Sequence, residues 1–510
     1  MEAISNNKRI AKNTIYLYIR MFFVLIVSLY TSRVVLSTLG VVDYGIYNVV
    51  SGFVSLFAFL NATLSASVQR FYNYEGTLNG FEGFRSVYIA ALIIHIGLSI
   101  VIFLLLESFG IWYINNIMVL PPERLFAANV VFQTSVVSLL IVFLQAPYVG
   151  AIMAKQCMSF YAVVSIIDTI LKLLIVLALP YIPYDKLLIY SFLALTTSLL
   201  DLSLYYFYSK SKFKEISFRF VINKPLLVRI IGFTGWNVIG TFAYMLKGQG
   251  INMLLNVFFG PVINAARGIA YQVEGAISGF SGNIAIAFRP QIVNNYAQNE
   301  LDGTRNLIYT ESRVCFMLIA TLITPVFIDL KYILHLWLGD SIPDLTYSFT
   351  LLVLIDALVC SLNTPCTQIV QATGNIRKYQ IGSTIVNLLL LPVCWIFLRF
   401  GFTPIIVFVL IILFSIANQI VCLLLANKTF PIDLNRYSND VLVPCLFYLV
   451  LLPIFPLLIF YILDTTFLRF LLIGVSTLLA AAPLSYCFAL SKSQRVELNT
   501  MIISKIKRNA

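Results

Sequence analysis

The sequence predicts an all-α, polytopic membrane protein with about 14 transmembrane helices, arranged as two pseudo-symmetric six-helix bundles followed by a C-terminal helix pair. Three observations lead to this fold class: the composition, a series of long apolar runs, and a repeat between the two halves of the chain. Hydrophobic residues make up 60% of the 510 residues and charged residues only 11%. Soluble globular chains are roughly 25% charged, so this composition indicates a membrane protein.

Long apolar runs give the number of spans. A transmembrane helix needs about 20 mostly apolar residues. Runs of this length, broken by charged residues, proline or glycine, cover residues 14–37, 44–68, 86–108, 124–147, 159–180, 186–208, 229–258, 265–288, 308–330, 346–370, 380–398, 404–426, 441–462 and 468–490. The first run follows basic residues, as in a signal peptide, but it is too long and lacks a small-residue cleavage site. We therefore expect it to remain as the first span.

Basic residues indicate the orientation. If the N-terminus is cytoplasmic, 24 of the 34 Lys and Arg residues lie on the cytoplasmic side, seven lie outside and three lie within spans. Cytoplasmic loops of membrane proteins carry this excess of basic residues. The net charge of +12 is therefore mainly a topology signal, and both termini are predicted to be cytoplasmic. Because no soluble domain holds the basic residues, we expect no nucleic acid partner.

Cysteine and histidine usage argues against metal and cofactor chemistry. The eight cysteines are scattered through apolar runs, none forms a CxxC motif, and His95 and His335 are the only histidines. Disulfide frameworks, structural zinc sites and haem sites need closer spacing. We expect no metal site and no cofactor.

An internal repeat defines the domains. Gln145–Pro147 is followed by Tyr161, and Asn363–Pro365 is followed by Tyr379, at a constant offset of 218 residues. Repeats of six spans enter the membrane in the same direction, and transporters built from such parallel repeats bind substrate between them. The predicted domains are an N-terminal lobe at 1–208, a basic cytoplasmic linker at 209–228, a C-terminal lobe at 229–430, and the last two helices with a cytoplasmic tail at 431–510.

Four basic residues lie at membrane depth: Arg20 and Lys247 are two of the three within spans, and Arg33 and Arg267, counted on the outer side, lie about 10 Å below the outer turns. A charge at the bilayer centre costs roughly 2.5–3.5 kcal/mol, so such residues usually face a partner or a wet cavity. Helical spacing places polar residues on the same face as two of them: Asn237 and Tyr244 with Lys247, and Tyr271 and Glu274 with Arg267. We predict that these faces line a substrate cavity.

Acidic residues in the spans are candidates for ion coupling. Asp168 and Lys172 are spaced to form an ion pair on one helix. Asp356 and Asp201 are isolated acids in the tenth and sixth spans. Glu274, Asp168 and Asp356 are the predicted sites for a coupling proton or sodium ion, with a structural role as the alternative for each.

The sign of the intramembrane charge distinguishes two ligand classes. A cavity with several cations suits an anionic ligand such as a pyrophosphate, because Arg and Lys are its usual partners. A cavity that exports cationic drugs would favour acids instead. An enzyme is not expected, because the longest outer connections, at 109–123 and 331–345, are short and contain few groups for acid–base catalysis.

The N-terminal region carries a family resemblance. Thr31–Gly40, Asp43–Tyr47 and Gln69–Phe71 together resemble the corresponding region of bacterial polysaccharide flippases of the O-antigen type. These flippases belong to the multidrug/oligosaccharidyl-lipid/polysaccharide (MOP) exporter superfamily. The fourteen-span plan and the cationic residues within the membrane are similar as well.

This resemblance implies a specific function. It implies that an undecaprenyl-pyrophosphate-linked oligosaccharide is moved across the bacterial cytoplasmic membrane by alternating access, for surface polysaccharide assembly. Arg20, Arg33, Lys247 and Arg267 would bind the pyrophosphate, and the last helix pair would offer a groove to the polyprenyl tail. It also implies membrane lipid, a coupling ion and polysaccharide polymerase machinery as partners. A cation-coupled multidrug exporter of the same superfamily is the alternative.

Overall fold

The computed structural model describes residues 2–155, 157–216, 223–373, 375–489 and 495. For residues 2–21 and scattered later positions it describes the backbone only. The described residues form α-helices with no β-strand: α1 Glu2–Ser55, α2 Ala58–Leu105, α3 Ile111–Asn116, α4 Leu125–Ala154, α5 Met158–Ala178, α6 Lys186–Lys212, α7 Lys224–Phe259, α8 Pro261–Ala297, α9 Leu301–Ile328, α10 Leu330–Leu338, α11 Thr346–Ser361, α12 Asn363–Thr373, α13 Arg377–Arg399, α14 Ile405–Thr429, α15 Leu434–Tyr437, α16 Val443–Leu451, α17 Ile454–Ile462 and α18 Phe467–Phe488.

The predicted all-α, polytopic fold class is confirmed. Eleven helical segments in the described part of the chain are long and apolar enough to cross a membrane. The other three predicted runs also lie on helices. Run 44–68 is divided between α1 and α2 at a two-residue break, 229–258 lies on α7, and 265–288 lies on α8. The protein is a multi-pass membrane protein.

Glycines bend the first two helices. Gly40 in α1 has a φ of 79°, and Gly80 in α2 has a φ of 55°. Residues other than glycine rarely adopt this backbone region, so the sequence encodes both kinks. Arg20 and Arg33 both precede Gly40.

The chain divides into two compact units. The first unit comprises Met1–Gly268 with Asp340–Pro343, and the second comprises Ile269–Gly339 with Asp344–Ala510. Within the first unit, α7 packs against α1 and α2. The predicted C-terminal lobe, which begins at residue 229, includes most of α7, and those domain limits stay a prediction.

Each unit has its own apolar core. In the first unit the rings of Phe53, Tyr113 and Phe132 stack, with Phe53 at the centre of the group. In the second unit, residues of α9, α12, α14 and α16 form a core that includes Ile308 and Ile369. Burial of these side chains stabilises each unit where its helices meet.

The two proline motifs of the predicted repeat have different local structures. Pro147 lies inside the continuous helix α4, and the side-chain amide of Gln145 donates to the carbonyl oxygen of Ser198. Pro365 lies in the first turn of α12, where a backbone amide would have no acceptor within the helix, so the missing amide hydrogen of proline costs nothing. The side chain of Asn363 accepts a hydrogen bond from the hydroxyl of Tyr379. The matching positions therefore continue a helix in one half and start one in the other.

Candidate functional site

Arg267, one of the predicted cationic residues, contacts the helix that carries another, Lys247. Arg267 lies on α8 with 7% of its surface exposed. Its Nη2 atom donates a 2.7 Å hydrogen bond to the carbonyl oxygen of Gly248 on α7. Gly248 directly follows Lys247, which is half-buried. Within the first unit, the guanidinium of Arg267 therefore lies against the backbone of α7, one residue after Lys247.

A tight turn sets this arrangement. Gly260 has a φ of 78° between α7 and α8, and Pro261 then provides the first residue of α8. The carbonyl oxygen of Asn256 accepts the amide of Gly260 at 2.7 Å, which closes the last turn of α7. Glycine suits position 260 because it adopts positive φ without strain. Proline suits position 261 because the first amide of a helix has no acceptor within that helix, so its absence costs nothing. The sequence thus makes α7 and α8 a helical hairpin.

Buried asparagines tie this hairpin to α1. The Nδ2 atom of Asn264 donates to the backbone oxygen of Asn252 at 2.7 Å and to its side-chain oxygen at 2.8 Å. Asn252 in turn reaches the carbonyl oxygen of Asn48 on α1, at 3.4 Å. Both Asn252 and Asn264 are buried. Sequence reasoning missed this network, although asparagines within apolar runs are the signal that could have indicated it.

Close helix packing surrounds the same network. A Cβ atom added to Gly45 of α1 would overlap the carbonyl oxygen of Pro261. A Cβ atom added to Gly268 would lie 2.8 Å from the side-chain oxygen of Asn48. Glycine is therefore needed where α1 meets the start of α8, as expected for tightly packed membrane helices.

The other predicted binding residues lie on α1, α7 and α8. Arg33 is exposed on α1. Tyr271 is half-buried on the part of α8 that belongs to the second unit. The side chains of Arg20, Asn237 and Tyr244 lie outside the described residues. Their participation in one cavity stays a prediction.

The predicted ion pair on α5 is present. Lys172 Nζ lies 2.8 Å from Asp168 Oδ2. Asp201 of α6 is close enough to both residues to interact electrostatically, so it is not isolated. Lys172 also borders a cavity of about 250 Å³ in the first unit. Many of the residues that line this cavity carry a hydroxyl group: Tyr47, Ser51, Ser55, Thr134, Ser135, Ser138, Ser191 and Ser198.

Two predicted coupling acids are neighbours in the second unit. Glu274 accepts a 2.5 Å hydrogen bond from the hydroxyl of Ser278. Asp356 of α11 is close enough to Glu274 for the two carboxyl groups to interact electrostatically. Both side chains are half-buried. The two predicted coupling acids therefore lie on neighbouring helices, α8 and α11, of the same unit.

One acid was not recognised in the sequence. Glu311 of α9 is fully buried in the second unit and accepts a hydrogen bond from Gln368. In the part of the chain that the structure describes, no three His, Cys, Asp or Glu side chains converge as a metal site.

Comparison with known proteins identifies the fold. No family model and no curated protein matches the chain. A structure of the lipid II flippase MurJ, in an inward closed conformation, matches with a TM-score of 0.64 and 15% identity, over 92% of this chain and 98% of that one. An outward-facing multidrug resistance MATE family transporter of the MOP superfamily matches with a TM-score of 0.60 and 13% identity, over 82% and 95%.

A third match is a MOP superfamily transporter from Pyrococcus furiosus Vc1, described as having a binding pocket of reverse polarity. Its TM-score is 0.59 and its identity 13%, over 84% of this chain and 96% of that one. The chain therefore has the fold of the MOP superfamily. The predicted resemblance is confirmed at the level of fold.

Proposed function

We propose that this protein is a MOP-superfamily transporter that flips an undecaprenyl-pyrophosphate-linked oligosaccharide across the bacterial cytoplasmic membrane by alternating access. The observation that carries the proposal is the buried guanidinium of Arg267, bonded to the backbone beside Lys247 on the neighbouring helix. A guanidinium and an ammonium group recognise pyrophosphate oxygens through charge-assisted hydrogen bonds. Arg20 and Arg33 are further candidates for the same headgroup, and Asn237, Tyr244 and Tyr271 for the glycan.

The extent of the structural matches also supports a lipid-linked substrate. The match to MurJ covers 92% of this chain, whereas the MATE match covers 82%, a difference of about 50 residues. The C-terminal helices from Leu434 to Phe488 form a segment of about this length. MurJ is a flippase of lipid II, which fits the expectation that these helices offer a groove to a polyprenyl tail.

The proposal includes a cellular setting. Both termini would be cytoplasmic, and the protein would act beside polysaccharide polymerase machinery in surface polysaccharide assembly. Glu274, Asp356 and Asp168 would be available to a coupling proton or sodium ion. The similarity to transporters rather than enzymes supports a function without catalysis.

A cation-coupled multidrug exporter is the second candidate. The MATE matches favour it, as do the neighbouring acids Glu274 and Asp356. Such an exporter would bind lipophilic cations through acids. Removal of Arg267 would not weaken drug export, whereas removal of Glu274 or Asp356 would.

Surface glycan in cells tests these candidates. The protein is produced in a bacterium that lacks its own polysaccharide flippase, beside the R267A and K247A variants and the exposed control R399A. We expect the wild type and R399A to restore surface glycan, and R267A and K247A to fail while inserting at equal levels. Normal surface glycan from both R267A and K247A would refute the proposed pyrophosphate-binding site. Export of cationic dyes without restored glycan would establish the drug exporter instead.

A further inference from the structure

The second unit buries one acid far inside a spanning helix. Glu311 is ten residues from the start of α9, which places it about 15 Å along the helix axis. The residue is 0% exposed. Its neighbours along α9, Ile308 and Phe316, belong to the apolar core of the unit. A carboxyl group at this position is removed from water on every side.

Among the described residues, only one of the two carboxyl oxygens of Glu311 accepts a hydrogen bond. Gln368 of α12 donates from Nε2 to Glu311 Oε1 at 2.8 Å. The other oxygen, Oε2, is buried and has no hydrogen-bond partner among the described residues. Glu311 is close enough to the buried thiols of Cys315 and Cys366 to act on both electrostatically.

Charged groups on the helices packed against α9 are directed elsewhere. Arg313, two residues along α9, donates to the carbonyl oxygen of Asp440 and to the hydroxyl of Thr310. Arg469 of α18 binds Asp329 at the far end of α9, and Asp356 of α11 interacts with Glu274. Lys331 and His335 of α10 also lie beyond that far end, and α16 contributes the thiol of Cys445.

These surroundings suit a proton better than a metal cation. Hard cations require several oxygen ligands. The side chains identified around Glu311 are one amide and two thiols, which cannot form such a shell. An ionised carboxylate with one neutral donor would be costly to bury, and binding a proton removes that cost.

We propose that Glu311 is a proton-binding site, and that its proton is exchanged for the substrate during transport. This inference rests on the proposed transport function. When the second unit admits water from outside, a hydronium ion gives up a proton to the carboxylate: an O–H bond of hydronium breaks, an O–H bond of the carboxylic acid forms, and a water molecule is left. When water enters from the cytoplasm, that bond breaks and the proton returns to water, with no change of oxidation state. The step is an antiport of one proton against the exported lipid.

The side chain of Gln368 can form a hydrogen bond to Glu311 in both its ionised and its protonated state. Its amide nitrogen donates to the ionised carboxylate, and a half-turn of the amide presents its oxygen to the protonated acid. The contact between α9 and α12 therefore persists through proton binding and release. Gln368 acts as a positioning residue, because it touches the proton-binding group and not the substrate.

Infrared difference spectroscopy tests proton binding without any substrate. The wild type and E311Q are compared in liposomes at neutral pH. We expect the wild type to show a carboxylic acid carbonyl band that E311Q lacks, and Q368L to keep this band at a shifted frequency. Carboxylate bands in its place, or a band that Q368L leaves unmoved, would overturn the assignment. Thermal melting confirms that the variants are folded.

Transport under an imposed pH gradient tests coupling. Proteoliposomes receive a fluorescent undecaprenyl-pyrophosphate-linked oligosaccharide, and E300Q, an exposed acid just before α9, is the matched control. We expect a pH gradient to drive net translocation by the wild type and E300Q, and E311Q to lose that response. An equal response from E311Q would overturn the coupling role. Failure of the wild type to translocate the lipid would refute the proposed function, while the infrared result would still decide whether Glu311 holds a proton.

Discussion

Arg469 of α18 binds Asp329 through two hydrogen bonds, from Nη2 to Oδ1 at 2.5 Å and from Nε to Oδ2 at 3.2 Å. Their side chains are only 8% and 3% exposed. The guanidinium also lies 4.6 Å from the ring centroid of Phe460 on α17. This buried pair, with two hydrogen bonds, joins α18 to the end of α9 within the second unit, and Phe460 adds a contact from α17.

Loss of either member of this pair should destabilise the protein. Breaking a buried ion pair by removing one partner leaves an uncompensated charge, which costs about 3–5 kcal/mol. We expect R469A and D329A each to melt well below the wild type in detergent. The double variant R469M/D329L should recover much of the loss, because no charge remains buried. Single variants that melt like the wild type would show that the pair contributes little.

Asp185 should make stability depend on pH. Burial acts to raise the pKa of Asp185, but hydrogen bonds from Arg124 and from the amides of Leu188 and Leu187 outweigh it and hold the pKa below its ordinary value. The resulting stabilisation is complete above the ordinary Asp pKa and is lost as pH falls through the lower folded value. Melting temperature should therefore fall in acid.

The variant D185N isolates this charge. Asp185 caps α6 by accepting the amides of Leu187 and Leu188, and asparagine preserves such a cap. D185N should thus be less stable than the wild type at neutral pH and should lose part of the acid-induced decrease. D185A removes the cap as well and should be less stable still. An identical pH profile for D185N and the wild type would rule out this contribution.

Gly45 should tolerate no side chain. An added Cβ would overlap the carbonyl oxygen of Pro261, so G45A must force α1 and α8 apart, with a cost of about 1–3 kcal/mol typical of overpacking. The control is G474A in α18, where an added Cβ meets nothing within 4 Å. We expect G45A to melt lower and G474A to melt at or above the wild-type temperature. Equal melting of the two variants would contradict the close packing.

Much of the fold could be predicted from sequence, because apolar runs of membrane length report directly on helices. In the described residues each of the fourteen runs lies mostly on helices, and Gly40 and Gly260 are positive-φ positions between predicted spans. The junction of α1 and α2 could not be predicted. Hydropathy shows where a segment is apolar, but it does not show that the helical backbone of the second run, 44–68, is interrupted at Leu56 and Phe57.

The candidate site was predicted less completely. Lys247 and Arg267 could be identified because charge within a span is unusual. Glu311 was not recognised, because its apolar run begins at 308 and places it near the membrane edge, whereas α9 starts at Leu301. Its partner Gln368 is 57 residues away, and only the packing of α9 on α12 brings the two together.

Translocation by purified protein tests the central claim most directly. Proteoliposomes containing the wild type, R267A, R267K or R399A receive a fluorescent undecaprenyl-pyrophosphate-linked oligosaccharide, and a membrane-impermeant quencher reports the fraction in the outer leaflet. We predict rapid translocation by the wild type and R399A, partial activity for R267K, and a loss of at least about tenfold for R267A, equivalent to about 1.4 kcal/mol. Wild-type rates from R267A would contradict the account.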